Sequence, residues 1–422
     1  MNESIQLYII RNYRWNFAVN TLNAAFYTVA MTFASIITFL PLFIEKLGAS
    51  NVVIGLIPSI AFIGYQLPGL FSAHYVESIP CKLRFVQKIT LIERLPFLAL
   101  AIVCIFLANP FPSLTILLTF VCIVLITFTS GVITPAWLDY IVKVTPRKFL
   151  GTYFAMGSGI GGIIGIGASL MAAYFLKKYP FPLNFFYCFL CAFIAVMISY
   201  VMTLIGREPS LEPLHAKTKL LDYYRKIPHL FSNDKRLQHF IFFRNLQCLG
   251  SMATTFFTVY SVKRLGFPDQ SAGWMTLSLL VSQSLAFFLW GFIGDRFSHR
   301  LVLFFGALGL VMTSVMALLF QSYAAIMSVF VFMGWYYSAQ GTSGLAILRD
   351  LAPEGRYPTY LALSNGLTTF AAFFAPIIGG KLADMYSYRT MFGVALFFSC
   401  WSLIWLLLFI RTHRPDPAMN LS

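Results

Sequence analysis

Apolar runs of about twenty residues recur along the chain from Asn16 to Ile410. About twenty apolar residues is the length an α-helix needs to cross the hydrocarbon core of a bilayer. The runs place helices near 16–44, 51–73, 86–108, 114–142, 151–176, 183–206, 238–262, 271–294, 301–321, 324–348, 359–383 and 388–410. Only 11% of the 422 residues are charged and 59% are hydrophobic, whereas a soluble domain carries roughly a quarter charged residues. The expected fold is therefore an all-α membrane protein with twelve transmembrane helices.

A net charge of +15 would point to nucleic acid in a soluble chain, but here its distribution gives an orientation. With the N-terminus inside, twenty-one Lys and Arg fall in cytoplasmic segments and seven outside, while Arg94 and Arg244 lie within helix starts. An even number of spans with both termini cytoplasmic satisfies the positive-inside rule. No cleavable signal peptide is expected, because the first fifteen residues are polar and the apolar stretch after them is too long. The seven cysteines stand singly, mostly inside spans; Cys188 and Cys191 share a helix face without any accompanying His. They read as small buried hydrophobes rather than as a metal site.

The one long polar stretch lies in the middle of the chain. It divides an N-terminal six-helix bundle over 1–206 from a C-terminal one over 238–422, with a cytoplasmic linker over 207–237 and a short amphipathic helix near Lys219 to Arg225. The halves also repeat. At a constant offset of 207, Pro146, Thr152, Tyr153, Ala155 and Gly159 match Pro353, Thr359, Tyr360, Ala362 and Gly366. Five identities in fourteen positions exceed the one or so expected by chance, and both segments form the turn from the fourth to the fifth span of their half. Two parallel six-helix repeats are one way of building a site at the membrane midplane.

Between the eighth and ninth spans the chain reads Gly291-Phe-Ile-Gly-Asp295-Arg296-Phe-Ser-His-Arg300. This resembles the G-x-x-x-D-R-x-G-R-R loop of the major facilitator superfamily, with Ser298 and His299 in place of Gly and a base. In that family the loop helps hold the cytoplasmic gate. The matching first-half loop keeps Gly69 but lacks the acid four residues later. Pro376-Ile-Ile-Gly379-Gly380-Lys-Leu-Ala-Asp384 resembles a frequent ending of the eleventh span in the same superfamily. The resemblance implies the twelve-helix fold of that family, bacterial in type. It also implies a gate carried by Gly291, Asp295, Arg296, Arg300 and Gly69, and a cavity lined first by the first, fourth, seventh and tenth spans.

Polar residues inside spans are the candidates for that cavity, because an unpaired amide in lipid costs several kcal/mol. Asn20, Asn23 and Tyr27 share a face of the first span, and Arg244, Gln247, Ser251 and Thr258 one of the seventh. Gln66, Gln283, Gln340 and Asn365 extend the set, and the resemblance adds Trp137 and Trp335 as aromatic walls. No Asp, Glu or His is expected near the middle of a span. Glu93 and Arg94 are placed near the cytoplasmic start of the third, with Arg94 paired to Glu93, Asp139 or a lipid phosphate.

Together these readings imply a secondary active or facilitative transporter of a small organic solute, working by alternating access in a bacterial inner membrane. An uncharged cavity favours a neutral or amphipathic solute, and a facilitator or an exporter fits equally; a coupling ion is left open. A monomer in the lipid bilayer is expected, with no nucleic-acid partner, metal or cofactor. A non-transporting membrane receptor of the same family is the alternative. No metal cluster, nucleophile elbow or phosphate loop suggests an enzyme.

Overall fold

A computed structural model describes residues 3–146, 149–209, 234–353 and 357–410. Among them there is no strand, and the helices make twelve passes. Nine passes contain an uninterrupted helix long and apolar enough to cross a bilayer. The second to sixth are Asn51–Glu77, Lys82–Leu107, Pro112–Val144, Leu150–Lys178 and Leu183–Leu204. The eighth and ninth are Ser271–Arg296 and His299–Leu319, and the eleventh and twelfth Tyr357–Met385 and Tyr388–Phe409.

The other three passes are broken. The first runs Glu3–Phe33 and resumes as Phe39–Lys46. Pro41 has no N–H, and its ring would clash with the carbonyl of Ile37 in a continuous helix. The chain turns instead, and Ser35 Oγ accepts the N–H groups of Ile37 and Thr38, each at 3.2 Å. The seventh runs Lys235–Gly250, a 3₁₀ turn Ser251–Ala253, then Phe256–Lys263. Ser251 and Thr254 there donate back to the carbonyls of Cys248 and Ser251, a habit that bends helices. The tenth, Tyr323–Ala339 and Leu345–Leu351, carries a π-helical segment Gln340–Gly344 between its two parts. Segments of that kind are frequent at functional positions.

Several boundaries differ from those expected. The first helix begins at Glu3, not near residue 16, and the third at Lys82, not near 86. Residues 210–233 of the expected linker, with its amphipathic segment, lie outside the described residues. Arg207–Pro209 are described, and the first two are docked on the N-terminal helices. Asn16 bonds both backbone groups of Arg207, and Asn12 accepts from its guanidinium. Glu208 is buried between Lys143 Nζ at 2.8 Å and the Leu83 N–H at 2.7 Å, so it caps the third helix. Cys81 Sγ donates to the same carboxylate at 3.1 Å; burial, with that neighbour, pushes the thiol pKa up and keeps it a donor.

The two halves meet mainly through the second and eleventh passes and through the fifth and eighth. A Cβ at Gly55 would stand 2.4 Å from the carbonyl oxygen of Pro376, and one at Gly273 2.5 Å from Ala173 Cβ. On the side away from the termini one apolar cluster spans both halves, with Phe43, Ile54, Phe97 and Phe185 beside Phe256, Met275, Phe330 and Phe392. On the terminal side the clusters separate: Leu83, Tyr140 and Tyr153 belong to the first half, Leu237, Leu303 and Leu406 to the second.

Candidate functional site

Polar contacts between the halves reinforce the far side. The Asp384 carboxylate sits at the N-terminus of the second helix, taking the Asn51 N–H at 3.1 Å, the Asn51 side chain at 2.7 Å and the Val52 N–H at 3.0 Å. A helix N-terminus carries unsatisfied N–H groups and a partial positive charge, which suits a carboxylate. Lys46 pairs with Asp269 at 2.8 Å, Lys263 with Glu45 at 3.3 Å, and the Thr38 and Thr276 hydroxyls meet at 2.7 Å. The far face is sealed.

Within the first six passes lies a cavity of about 360 Å³. Asn23, Ala24, Tyr27 and Thr28 line it from the first pass and Tyr65 from the second. Val86, Thr90, Glu93 and Arg94 come from the third, Ser130, Ile133, Thr134 and Trp137 from the fourth, and Thr203 from the sixth. Glu93 and Arg94 are the centre of its chemistry. Glu93 stands eleven residues after Lys82, so about 16 Å along a helix rising 1.5 Å per residue, near the middle of the 26-residue helix Lys82–Leu107. This corrects the expectation that no carboxylate lies at mid-span.

The carboxylate accepts from Tyr27 OH at 3.1 Å and from Ser130 Oγ, and its Oε2 lies 3.0 Å from Arg94 Nη1. The Arg94 guanidinium lies 4.8 Å from the centre of the Tyr27 ring and reaches Ser199 Oγ at 3.5 Å. Ser199 in turn donates to Asn23, which donates to Thr203. The first, third, fourth and sixth passes are thus tied together by one polar network. Charges removed from water persist only when paired in this way.

The cavity brings together three of the expected residues, Asn23, Tyr27 and Trp137. Asn20 lies beside it, bonded to Tyr140 OH at 3.1 Å. In the other half the candidates pair with each other. Arg244 donates to Ser364 at 2.6 Å and to Asn365 at 3.1 Å, which fixes its guanidinium within its own half. Gln340, in the π segment, donates to Gln247, just before the break in the seventh pass. Ser251 bonds its own helix. Trp335 packs on Trp290, with ring centres 5.3 Å apart, and is a packing residue. Gln66 and Gln283 are half-buried and off the cavity wall.

The expected gate residues are dispersed. Asp295 and Arg296 are exposed; Arg296 lies over the Phe292 ring, and Asp295 has no ion pair among the described residues. Arg300 donates to the Leu407 carbonyl at 2.8 Å. Gly291 does not stand at a close helix crossing, for nothing lies within 4 Å of where its Cβ would be; the tight position is Gly294, against His299. His299 Nδ1 lies 3.1 Å from Ser343 Oγ and links the loop to the tenth pass. Gly69 faces the fourth pass, 3.1 Å from the Gly131 carbonyl oxygen by the same measure.

Residues 240–421 match the sequence model of the Major Facilitator Superfamily. Among curated proteins, the tetracenomycin C resistance and export protein of Streptomyces glaucescens is 29% identical over 121 residues. That match spans 29% of this chain and only 22% of the length of that protein. Among solved structures, a mutant of the nucleoside transporter NupG superposes with a TM-score of 0.73 at 13% identity, over 93% of this chain and 98% of that one. A bacterial homologue of the human lysosomal transporter Spinster, solved in an inward-facing and occupied conformation, gives 0.69 at 13% identity, over 96% and 99%. The second half of the chain thus carries the sequence pattern of the Major Facilitator Superfamily, and nearly the whole chain shares the fold of these solved transporters.

Proposed function

We propose that the protein moves a small organic solute across a membrane by alternating access, and that the cavity around Glu93 and Arg94 is where the solute binds. The observation that carries this reading is a cavity holding a buried charged pair, halfway along its helix, in a molecule whose halves share a core on one face only. A fixed channel would have no reason to seal one face with contacts between the halves. The sealed face is the outer one and the terminal side is cytoplasmic, in keeping with the excess of Lys and Arg on that side. The conformation is then open to the cytoplasm, and Asp295 and Arg296 find partners only when that side closes. The bacterial inner membrane is the expected location, with the monomer as the working unit.

The test is counterflow in proteoliposomes. Solutes that raise the thermal stability of the purified protein are loaded inside, and uptake of the labelled solute is followed. Saturable counterflow that is lost in Tyr27→Phe and Trp137→Ala supports the reading. Tight binding without any counterflow would replace it with that of a non-transporting receptor.

A further inference from the structure

A merely polar cavity would not need two adjacent opposite charges, and the way Glu93 and Arg94 are satisfied is unequal. Both are more than nine-tenths buried. Neighbours on a helix point about 100° apart, so they do not face each other and their contact is imperfect. Arg94 Nη1 lies 3.0 Å from Glu93 Oε2 without the alignment of a hydrogen bond, and Nε meets no acceptor among the described residues. Among the described residues the only bond from Nη2 is the 3.5 Å reach to Ser199. The carboxylate, in contrast, already takes two hydroxyls on one oxygen. The guanidinium has donors to spare, and on the carboxylate Oε1 is taken while Oε2 has no aligned hydrogen bond among the described residues.

We infer that the cavity takes a solute with a single negative charge, seated on Arg94, together with one proton on Glu93. The inference rests on the reading of this cavity as the solute site. As found, the pair has no net charge. An anion alone would leave the site at −1 and a proton alone at +1, each uncompensated in a region of low dielectric. Both together restore neutrality, so each raises the affinity for the other by the same factor. A monocarboxylate fits best, because a guanidinium presents a planar fork that matches it with two parallel bonds. Facing Glu93 around the cavity are the phenols of Tyr27 and Tyr65 and the hydroxyls of Ser130 and Thr203; its described lining holds no second carboxylate, lysine or imidazole. The proton therefore has one acceptor. Anion and proton must also cross in the same direction.

The test compares acids with their neutral amides on the full-length protein: benzoate against benzamide and lactate against lactamide, with a pentose and a nucleoside as further neutral probes. Binding is followed by titration calorimetry across a pH series in buffers of different ionisation heat, and movement by counterflow. The acids should bind with about one proton taken up, and their affinity should fall about tenfold per pH unit wherever that uptake is complete. Glu93→Gln should bind the acids without proton uptake and without pH dependence. Breaking one member of a buried pair can prevent folding, so the paired variant Glu93→Gln/Arg94→Gln serves as the second probe. It should lose the acids and keep any amide binding. Acid binding that is pH-independent in the unaltered protein, or that survives in the paired variant, overturns the inference. Neutral probes bound and carried while no acid is bound also overturn it, but leave transport standing. No probe of either class bound or moved overturns both.

Discussion

Replacing Asp384 by Ala should open the sealed face, and the structure sets the size of the effect. Three bonds to the carboxylate are lost, from Asn51 N, Asn51 Nδ2 and Val52 N. Asp384 is solvent-exposed, so each is taken at the low end for a net hydrogen bond, about 0.5–1 kcal/mol. The sum is about 2 kcal/mol, or roughly 30-fold in an equilibrium. These bonds join the two halves, so the whole loss falls on the conformation closed at that face. The half-exposed pair Lys46–Asp269 is worth at most about 1 kcal/mol, so Asp269→Asn should shift the equilibrium about fivefold or less. The assay is labelling of Thr38→Cys by a membrane-impermeant maleimide, with the seven native cysteines replaced. Thr38 is fully buried on the Thr276 contact and reacts only when the face opens. With opening faster than labelling, Asp384→Ala should raise the rate roughly 30-fold, well above Asp269→Asn. Equal rates with and without Asp384, or a larger effect from Asp269, would refute the assignment of the carboxylate as the main clasp.

Gly273→Val should both lower thermal stability and speed labelling at Thr38, because its side chain would meet the backbone of Ala173 and push the fifth and eighth passes apart; overpacking of this kind costs about 1–3 kcal/mol. Glu208→Ala should destabilise by about 3–5 kcal/mol, since it leaves Lys143 buried without its partner, and Glu208→Ala/Lys143→Met should recover much of that loss in thermal unfolding. Arg244→Ala should leave solute affinity within about twofold, because its guanidinium is held by Ser364 and Asn365 and each tenfold change needs about 1.4 kcal/mol of lost contact. A solute bound by the unaltered protein and lost in Arg244→Ala would move the site to the second half.

The twelve passes are legible in the sequence because hydrocarbon thickness fixes helix length, and apolar runs of that length are hard to mistake. The repeat is legible because it preserves side chains with matching tasks. Tyr153 and Tyr360 are buried at the start of the fifth and eleventh passes, where Tyr153 donates to the Asn20 carbonyl in the first pass and Tyr360 to Asp234, the cap of the seventh. The breaks are harder to read. Pro41 is a visible signal, but around the π segment at Gln340 the sequence offers only Ser338 and Thr342, which bond back to their own helix, and such hydroxyls occur in many straight helices. The pairing of Arg244 with Asn365 and of Gln247 with Gln340 joins residues about a hundred positions apart. Helical spacing says which residues share a face, not which face a neighbour will meet.

Hydropathy misplaces Glu93 for a more instructive reason. It sets the start of a span where apolar residues begin to dominate, and the first turn here, Lys82-Leu-Arg-Phe, is half charged, so the span reads as starting at Val86. Those four residues are helical all the same: Glu208 caps Leu83 and Lys82 pairs with Asp139 at 3.6 Å. Four residues are about 6 Å of helix, enough to carry Glu93 and Arg94 from the first third of the expected span to the middle of the observed helix. At an interface an ion pair is an ordinary solvated contact worth about 0–1 kcal/mol. At mid-depth the same two residues must be held by Tyr27, Ser130 and Ser199, so their positions are fixed by three other helices. A charged pair inside an apolar run is therefore best placed by first asking what caps the helix upstream of it. Here the cap comes from Glu208, more than a hundred residues later in the chain, at the edge of a segment that reads as linker.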